Sequence, residues 1–153
     1  MGRRLKQVVI PKEEAVFWLD KNGFWHNEEG KFEHRRIINY FHRCIRKDKN
    51  GYHLAQEHSG YREKVYFPYE DTALFVFDVI KDDDITLVLN TKKRIKLKPR
   101  KLFVKEDSLY MDAGDDRIKF SEAALIRIAA FMEYHNDALF MRVRGRRYRI
   151  REL

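Results

Sequence analysis

Val16-Phe17-Trp18-Leu19, a turn at residues 20–23, Phe24-Trp25-His26, and then Lys31-Phe32 opening a helical stretch form the passage that decides the fold, because the pattern recurs. Its second version is Leu102-Phe103-Val104-Lys105, a turn at 106–108, Leu109-Tyr110-Met111, and Lys119-Phe120 opening another helical stretch. Each copy reads strand, turn, strand, helix, and each ends in a further strand pair. A unit too small to bury its own apolar face packs against its twin. The expectation is an α+β fold: internally duplicated strand-strand-helix-strand-strand units around a largely antiparallel sheet, with two helices, in a single compact body. The half-domains are placed at 1–72, with a loose arm over 1–13, and at 73–153, where a meander at 74–98 precedes the second repeat at 101–151.

In the first copy, Asn22-Gly23 supplies the positive backbone angles of a tight hairpin turn, so residues 24–27 return antiparallel to 16–19. The helix that follows carries Ile37, Ile38, Phe41 and Ile45 at helical spacing as an inward stripe, with Arg35, Arg36, Asn39, Arg43 and Arg46 toward solvent. Residues 48–51 end it. Residues 52–57 and 63–67 read as a strand pair joined around Ser59-Gly60, and Pro68 closes the copy. Alternation at 74–80, 85–90 and 94–98 marks a meander that extends the sheet. The second helix, 123–132, is apolar at nearly every position except Arg127, which predicts burial on most sides. It is either the central post of the fold or part of a dimer interface, so monomer and homodimer both stay open.

A chain of 153 residues needs neither disulfides nor a structural metal to fold, and its 37% charged content excludes a membrane-spanning run. Its one cysteine, Cys44, allows no intramolecular bridge, and Met1-Gly2-Arg3-Arg4-Leu5-Lys6 lacks the apolar core of a secretory signal. The expected compartment is a reducing cytoplasm. A net charge of +8 favours phosphate-bearing partners, small or polymeric, or serves solubility alone. Acidic clusters at Glu28-Glu29, 82–84, Glu106-Asp107 and Asp115-Asp116 interrupt the positive field.

The sharpest chemical signal lies in the last strand pair. With Gly145-Arg146 as a two-residue turn, position 144 pairs with 147 and 142 with 149, so Arg142, Arg144, Arg147 and Arg149 share one face and Met141, Val143, Tyr148 and Ile150 the other. Like charges opposite one another destabilise a ladder, so the arginine face calls for anions. These are either ligand phosphates, which the guanidinium fork fits in bidentate fashion, or carboxylates of the same chain. Catalytic constellations are absent. The six histidines show no zinc spacing, and His34 and His42, two helical turns apart, lack a third ligand. No glycine-rich phosphate loop or Gly-x-Ser-x-Gly elbow occurs, Cys44 reads as core, and no cofactor is implied.

The order Tyr40-Phe41-x-Arg43, Gly51-Tyr52, Gly60-x-Arg62-Glu63-Lys64, Glu70-Asp71, Met132-Glu133-Tyr134 and Gly145-x-Arg147-x-Arg149-Ile150 resembles the uncharacterised protein family 0598, also called domain of unknown function 4505, over most of the chain. The chain departs from that pattern at Ser59, where the family has cysteine, and at Tyr148, where it has histidine. These departures argue against a thiol or imidazole chemistry shared with the family. A partial resemblance to domain of unknown function 1285 runs from about Trp25 to Lys98 through Glu63-Lys64 and Glu70-Asp71. It implies a duplicated α+β protein that holds a nucleotide-like ligand between its halves. Both resemblances imply an intracellular protein.

Three functions follow as expectations. The first is a non-enzymatic binding module that takes a nucleotide-like or other anionic small ligand where the repeats meet. Arg62, Lys64, Arg147 and Arg149 would contact its phosphates, Arg142 and Arg144 would lie beside them, and Glu63, Glu70 and Asp71 would orient the cations or accept hydrogen bonds from the ligand. The second is a nucleic-acid binder that uses the basic helix face and the arginine hairpin. The third is an enzyme with Glu63 or Asp71 as general base. If the two hairpins face each other, Glu63 and its neighbours are the carboxylates that the arginines require.

Overall fold

Both halves of the chain bury aromatic and aliphatic side chains together, Trp25, Phe67, Leu19 and Leu54 in the first and Phe75, Phe103, Leu87 and Ile118 in the second. In the computed structural model, which describes residues 5–153, the chain is α+β, and it divides into a unit ending at Ala73 and a unit Leu74–Leu153.

In the first unit the strands are β1 (Lys6–Ile10), β2 (Phe17–Leu19), β3 (Trp25–Asn27), β4 (Gly30–Lys31), β5 (Ile45–Asp48), β6 (Gly51–His58) and β7 (Tyr61–Tyr66), with helix α1 (Arg35–Arg43) between β4 and β5. Strands β2–β4 form a small antiparallel meander, and the other sheet runs β1-β7-β6-β5. Trp25 is the hub of the interior: its ring meets those of Phe17, Phe41 and Phe67 edge-on, with centroids 5.8, 5.4 and 5.0 Å away. Its indole N–H donates to Nδ1 of buried His42 at 3.3 Å, so a histidine takes a core position on α1.

The second unit contains β8 (Leu74–Lys81), β9 (Ile85–Leu89), β10 (Arg94–Lys96), β11 (Leu102–Lys105), β12 (Ser108–Ala113), β13 (Asp116–Phe120), α2 (Glu122–Ile128), β14 (Met132–His135), β15 (Ala138–Val143), β16 (Arg146–Arg149) and β17 (Arg151–Glu152). A seven-stranded sheet runs β10-β9-β8-β13-β12-β11-β17, and β14-β15-β16 form a separate antiparallel meander. Among the pairings of named strands, β1–β7, β8–β13 and β11–β17 are parallel and the rest antiparallel. Val76, Leu87, Leu102, Met111, Ile118, Ile128 and Met141 are buried in its core. Each such side chain contributes roughly 1.5–3 kcal/mol by leaving water.

Several expectations are corrected. Each helix lies between two three-stranded runs, β2–β4 and β5–β7 around α1 and β11–β13 and β14–β16 around α2, where two strands are expected on each side; β4, β5, β13 and β14 are the strands that the sequence reading gives to helix or turn. Lys31 lies in β4, and Lys119 and Phe120 lie in β13, so neither pair opens a helix. Residues 6–10, expected in a loose arm, pair with β7 through residues 61–65; residues 1–4 of that arm lie outside the described residues. The first hairpin has no two-residue Asn-Gly turn. Asp20 Oδ1 instead accepts the N–H groups of Asn22 at 2.8 Å and Phe24 at 3.0 Å, and this side-chain bonding holds a five-residue loop with positive φ at Gly23. On α1 the inward positions are Ile38, Phe41 and His42, while Ile37 is 46% exposed and Ile45 has passed into β5. The second helix is shorter than expected and buries one stripe only, Ala124 and Ile128, with Ile126 75% exposed. Ser121 Oγ caps its N-terminus, and at Met132 the backbone is already extended to pair with β15.

Candidate functional site

The turn of the arginine hairpin falls at Arg144-Gly145, one residue earlier than the expected Gly145-Arg146. Both residues have positive φ, 53° and 75°, as a two-residue turn with glycine second requires. The pairs are therefore Phe140↔Arg149, Met141↔Tyr148, Arg142↔Arg147 and Val143↔Arg146. Arg142, Arg147 and Arg149 share a face as expected, because the shift moves both partners by one residue and leaves the parity of the pairs unchanged. Arg144 is lifted into the turn, and Arg146 joins the face that holds Tyr148.

Part of the required anionic company comes from the second unit itself. Glu133 on β14 receives Arg147 Nε at 2.6 Å and Arg142 at 3.4 Å. Asp84, in the β8–β9 turn, receives Arg144 Nε at 2.8 Å and Lys96 at 3.3 Å. Among the described residues no carboxylate pairs with Arg100, Arg146 or Arg149. Arg100 and Arg146 lie over the ring of Tyr148, 5.5 and 5.4 Å from its centroid. These residues and Arg147 line an open recess of about 320 Å³. Because β16 is the edge strand of its meander, side chains from both of its faces border the same rim. A wall of four guanidiniums and one phenol offers only positive charge and donors apart from the phenol oxygen, the complement of a phosphate or polyphosphate.

The expected first-unit residues find partners within their own unit. Arg62 and Lys64 share a face of β7, and both meet carboxylates: Arg62 Nε reaches the cross-strand Glu57 at 3.0 Å, and Lys64 Nζ reaches Asp48 at 3.1 Å. Asp48 also accepts the Tyr66 hydroxyl at 2.7 Å and the Asn50 N–H at 2.9 Å, with His53 Nδ1 3.8 Å away. The Tyr66 hydrogen bond first, then those of Asn50 and Lys64, hold Asp48 well below the usual carboxylate range, and the same bond pushes Tyr66 up. Burial pushes His53 below the usual imidazole range. Glu63 projects from the opposite face of β7 and lies 3.4 Å from His58 Nε2, while Glu70 accepts the Lys21 N–H at 2.9 Å. Asp71 is half-buried and has partners of its own. A larger recess, about 400 Å³ near Asn27 to Ile37, mixes Glu29 and Glu33 with Lys31 and His34 and contains none of these residues.

Sequence reasoning missed Arg100, Arg146 and Tyr148. The signal for Arg100 was present: residues 90–101 carry seven cations and no acid. Arg146 was hidden by its assignment to the turn, and Tyr148 by its assignment to the core face.

No family model matches the chain, and no curated protein matches it in sequence. Two solved structures share its fold. A DUF1285 (domain of unknown function 1285) family protein from Silicibacter pomeroyi DSS-3 superposes with a TM-score of 0.64 at 9% identity, over 96% of this chain and 84% of that one. A DUF1285 family protein from Shewanella baltica OS155 gives 0.53 at 14% identity, over 78% of this chain and 94% of that one. At such identities the likeness is one of fold, and of the two resemblances read from the sequence it supports that to domain of unknown function 1285. Among the described residues no helix is long and apolar enough to cross a membrane.

Proposed function

We propose that the chain is a binding module for a phosphate-bearing anion, nucleotide-like or simpler, and that its site is the arginine recess of the second unit. The observation that carries this reading is the uneven distribution of counter-charge along one hairpin. Arg142, Arg144 and Arg147 each meet a carboxylate, whereas Arg146 and Arg149, with Arg100 beside them, meet none among the described residues and border the same recess. Guanidiniums held close together repel one another, and a bound polyanion removes that repulsion through charge-assisted hydrogen bonds worth about 1.5–3 kcal/mol each. Phosphates meet Arg149 and Arg147 on one side of the strand and Arg146 and Arg100 around Tyr148 on the other. Arg62 and Lys64, engaged with Glu57 and Asp48, take no part.

Pyrophosphate titrated into the full chain, followed by calorimetry and by the melting midpoint, tests this reading. Binding that raises the midpoint, and that weakens roughly tenfold or more in both Arg146→Ala and Arg149→Ala, is the expected result. No heat and no shift at millimolar pyrophosphate, or unaltered binding in both variants, ends it.

A further inference from the structure

The recess is the end of a longer basic surface, and we infer that the anion it takes is the backbone of a single-stranded nucleic acid, whose phosphates run from the recess along strand β10. This inference rests on the anion site proposed above and names the ligand class for it.

Strand β10 closes one edge of the seven-stranded sheet. Along it and the extended residues that follow, Arg94, Lys96 and Lys98 are exposed and alternate with Ile95 and Leu97, which turn to the core. Alternate side chains on a strand stand about 7 Å apart, so the three cations span roughly 13 Å in a single file. That step suits successive phosphates of an extended single strand, and long lysine and arginine side chains absorb the mismatch. Lys92 and Lys93 prolong the file at the β9–β10 turn. Among the described residues Lys96 alone of these five meets a carboxylate, Asp84.

The file leads into the recess. Pro99–Lys101 forms a 3-10 turn that carries Arg100 to the Tyr148 ring, and Asp84 clamps Lys96 and Arg144 together, joining strand and hairpin. Lysines on an edge strand also deter pairing with other sheets. That role needs neither an acid-free run of twelve residues, 90–101, nor its meeting with unpaired arginines at one end. The Tyr148 ring carries two guanidiniums, so it orients them toward phosphate and leaves the bases unread. The surface recognises a backbone and no sequence.

Fluorescence anisotropy with labelled oligothymidylates of two, six and twelve nucleotides, beside the pyrophosphate titration, separates the two claims. The expected affinity rises at least tenfold from the dinucleotide to the hexamer and little beyond. Its salt slope falls by about two when Lys92, Lys93 and Arg94 are all replaced by alanine, since each phosphate contact on a single strand contributes about 0.7. That variant still binds pyrophosphate as the unaltered chain does. These residues are exposed, and a triple arginine variant that keeps full oligonucleotide affinity shows that charge, and not packing, is at work. Pyrophosphate binding with no gain from two to six nucleotides, or a hexamer affinity unchanged in the alanine variant, overturns the nucleic-acid inference and leaves the anion site standing. Loss of both overturns both. Capture by anionic vesicles of phosphatidylserine without length-dependent oligonucleotide binding assigns the surface to lipid and also overturns it.

Discussion

The meanders β5–β7 and β14–β16 follow their helices in the same register and handle charge in opposite ways. Cross-strand pairs make the correspondence: Ala55↔Lys64 answers to Arg142↔Arg147, His53↔Tyr66 to Phe140↔Arg149, and Asp48, opposite Gly51, to His135, opposite Ala138. In the first meander the carboxylate stands at the end of the opening strand, where Asp48 gathers Tyr66 and Lys64 from across the sheet. In the second it stands in the middle, where Glu133 holds Arg142 and Arg147, and the strand end carries His135. The position that Tyr66 fills with a neutral donor is filled by Arg149, which has a charge and meets no carboxylate among the described residues. One meander closes its polar face on itself, and in the other Arg146 and Arg149 meet no carboxylate among the described residues.

The largest effect is expected from moving the acid. His135→Asp gives the second meander the carboxylate that the first one has, within reach of Arg149 by the register that lets Asp48 reach Tyr66. Pyrophosphate affinity should fall about tenfold, because ligand and carboxylate then compete for one guanidinium whose charged hydrogen bond is worth roughly 1.5 kcal/mol or more. Calorimetry at fixed ionic strength measures it, and an affinity equal to or above that of the unaltered chain breaks the correspondence.

A smaller effect is expected in the first unit. His53 is buried and titrates below the usual imidazole range, first because burial disfavours its cation. The unfolded chain therefore takes up its proton before the folded one does. The contribution of neutral His53 is fully present above about pH 6.5 and is lost as the pH falls through its lowered folded value, with a slope that a single proton limits to about 1.4 kcal/mol per pH unit. Asp48, also depressed, adds its own loss only below about pH 3.9. His53→Phe copies Phe140 of the second meander and should flatten urea-derived stability between pH 6.5 and 4, leaving the steeper decline beneath. A slope that survives the substitution places the titration elsewhere.

What could be read in the sequence follows from which patterns are local. Alternation in 74–81 and 85–89 is long enough to stand alone, and both strands are found. Ile45–Asp48 and Met132–His135 are four-residue strands pressed against helix ends, and their apolar positions fit a helical stripe as well as a pleat; only the partner strand decides. For the site, the shared face of Arg142, Arg147 and Arg149 depends on parity and survives a displaced turn. The contacts of Arg100 and Arg146 depend on where the turn falls and on which segment packs beside β16, and neither is a property of the hairpin sequence. The acids behave likewise. Glu133 stood inside a recognised pattern, but its role required β14 to be a strand.

The displaced turn gives the smallest prediction. Arg144 sits in the left-handed region at φ 53°, which an asparagine adopts more readily than an arginine, and Asn-Gly is the preferred pair for a turn with two positive φ values. Arg144→Asn therefore relieves backbone strain while it removes the bond to Asp84. That ion pair is mostly exposed, with the arginine side chain 60% accessible, and pairs of this kind are worth about 0.2–1 kcal/mol. The two effects offset, so stability at low salt should change by less than about 0.5 kcal/mol. In about 1 M salt the lost pair counts for little and the relief remains, so the variant should become the more stable protein. The first unit supplies the control: its turn at Ser59-Gly60 has positive φ at Gly60 only, and Ser59→Asn should gain nothing at either salt. Equal gains in both turns would mean that asparagine acts through the unfolded chain, and the contrast between the two hairpins would not extend to their turns.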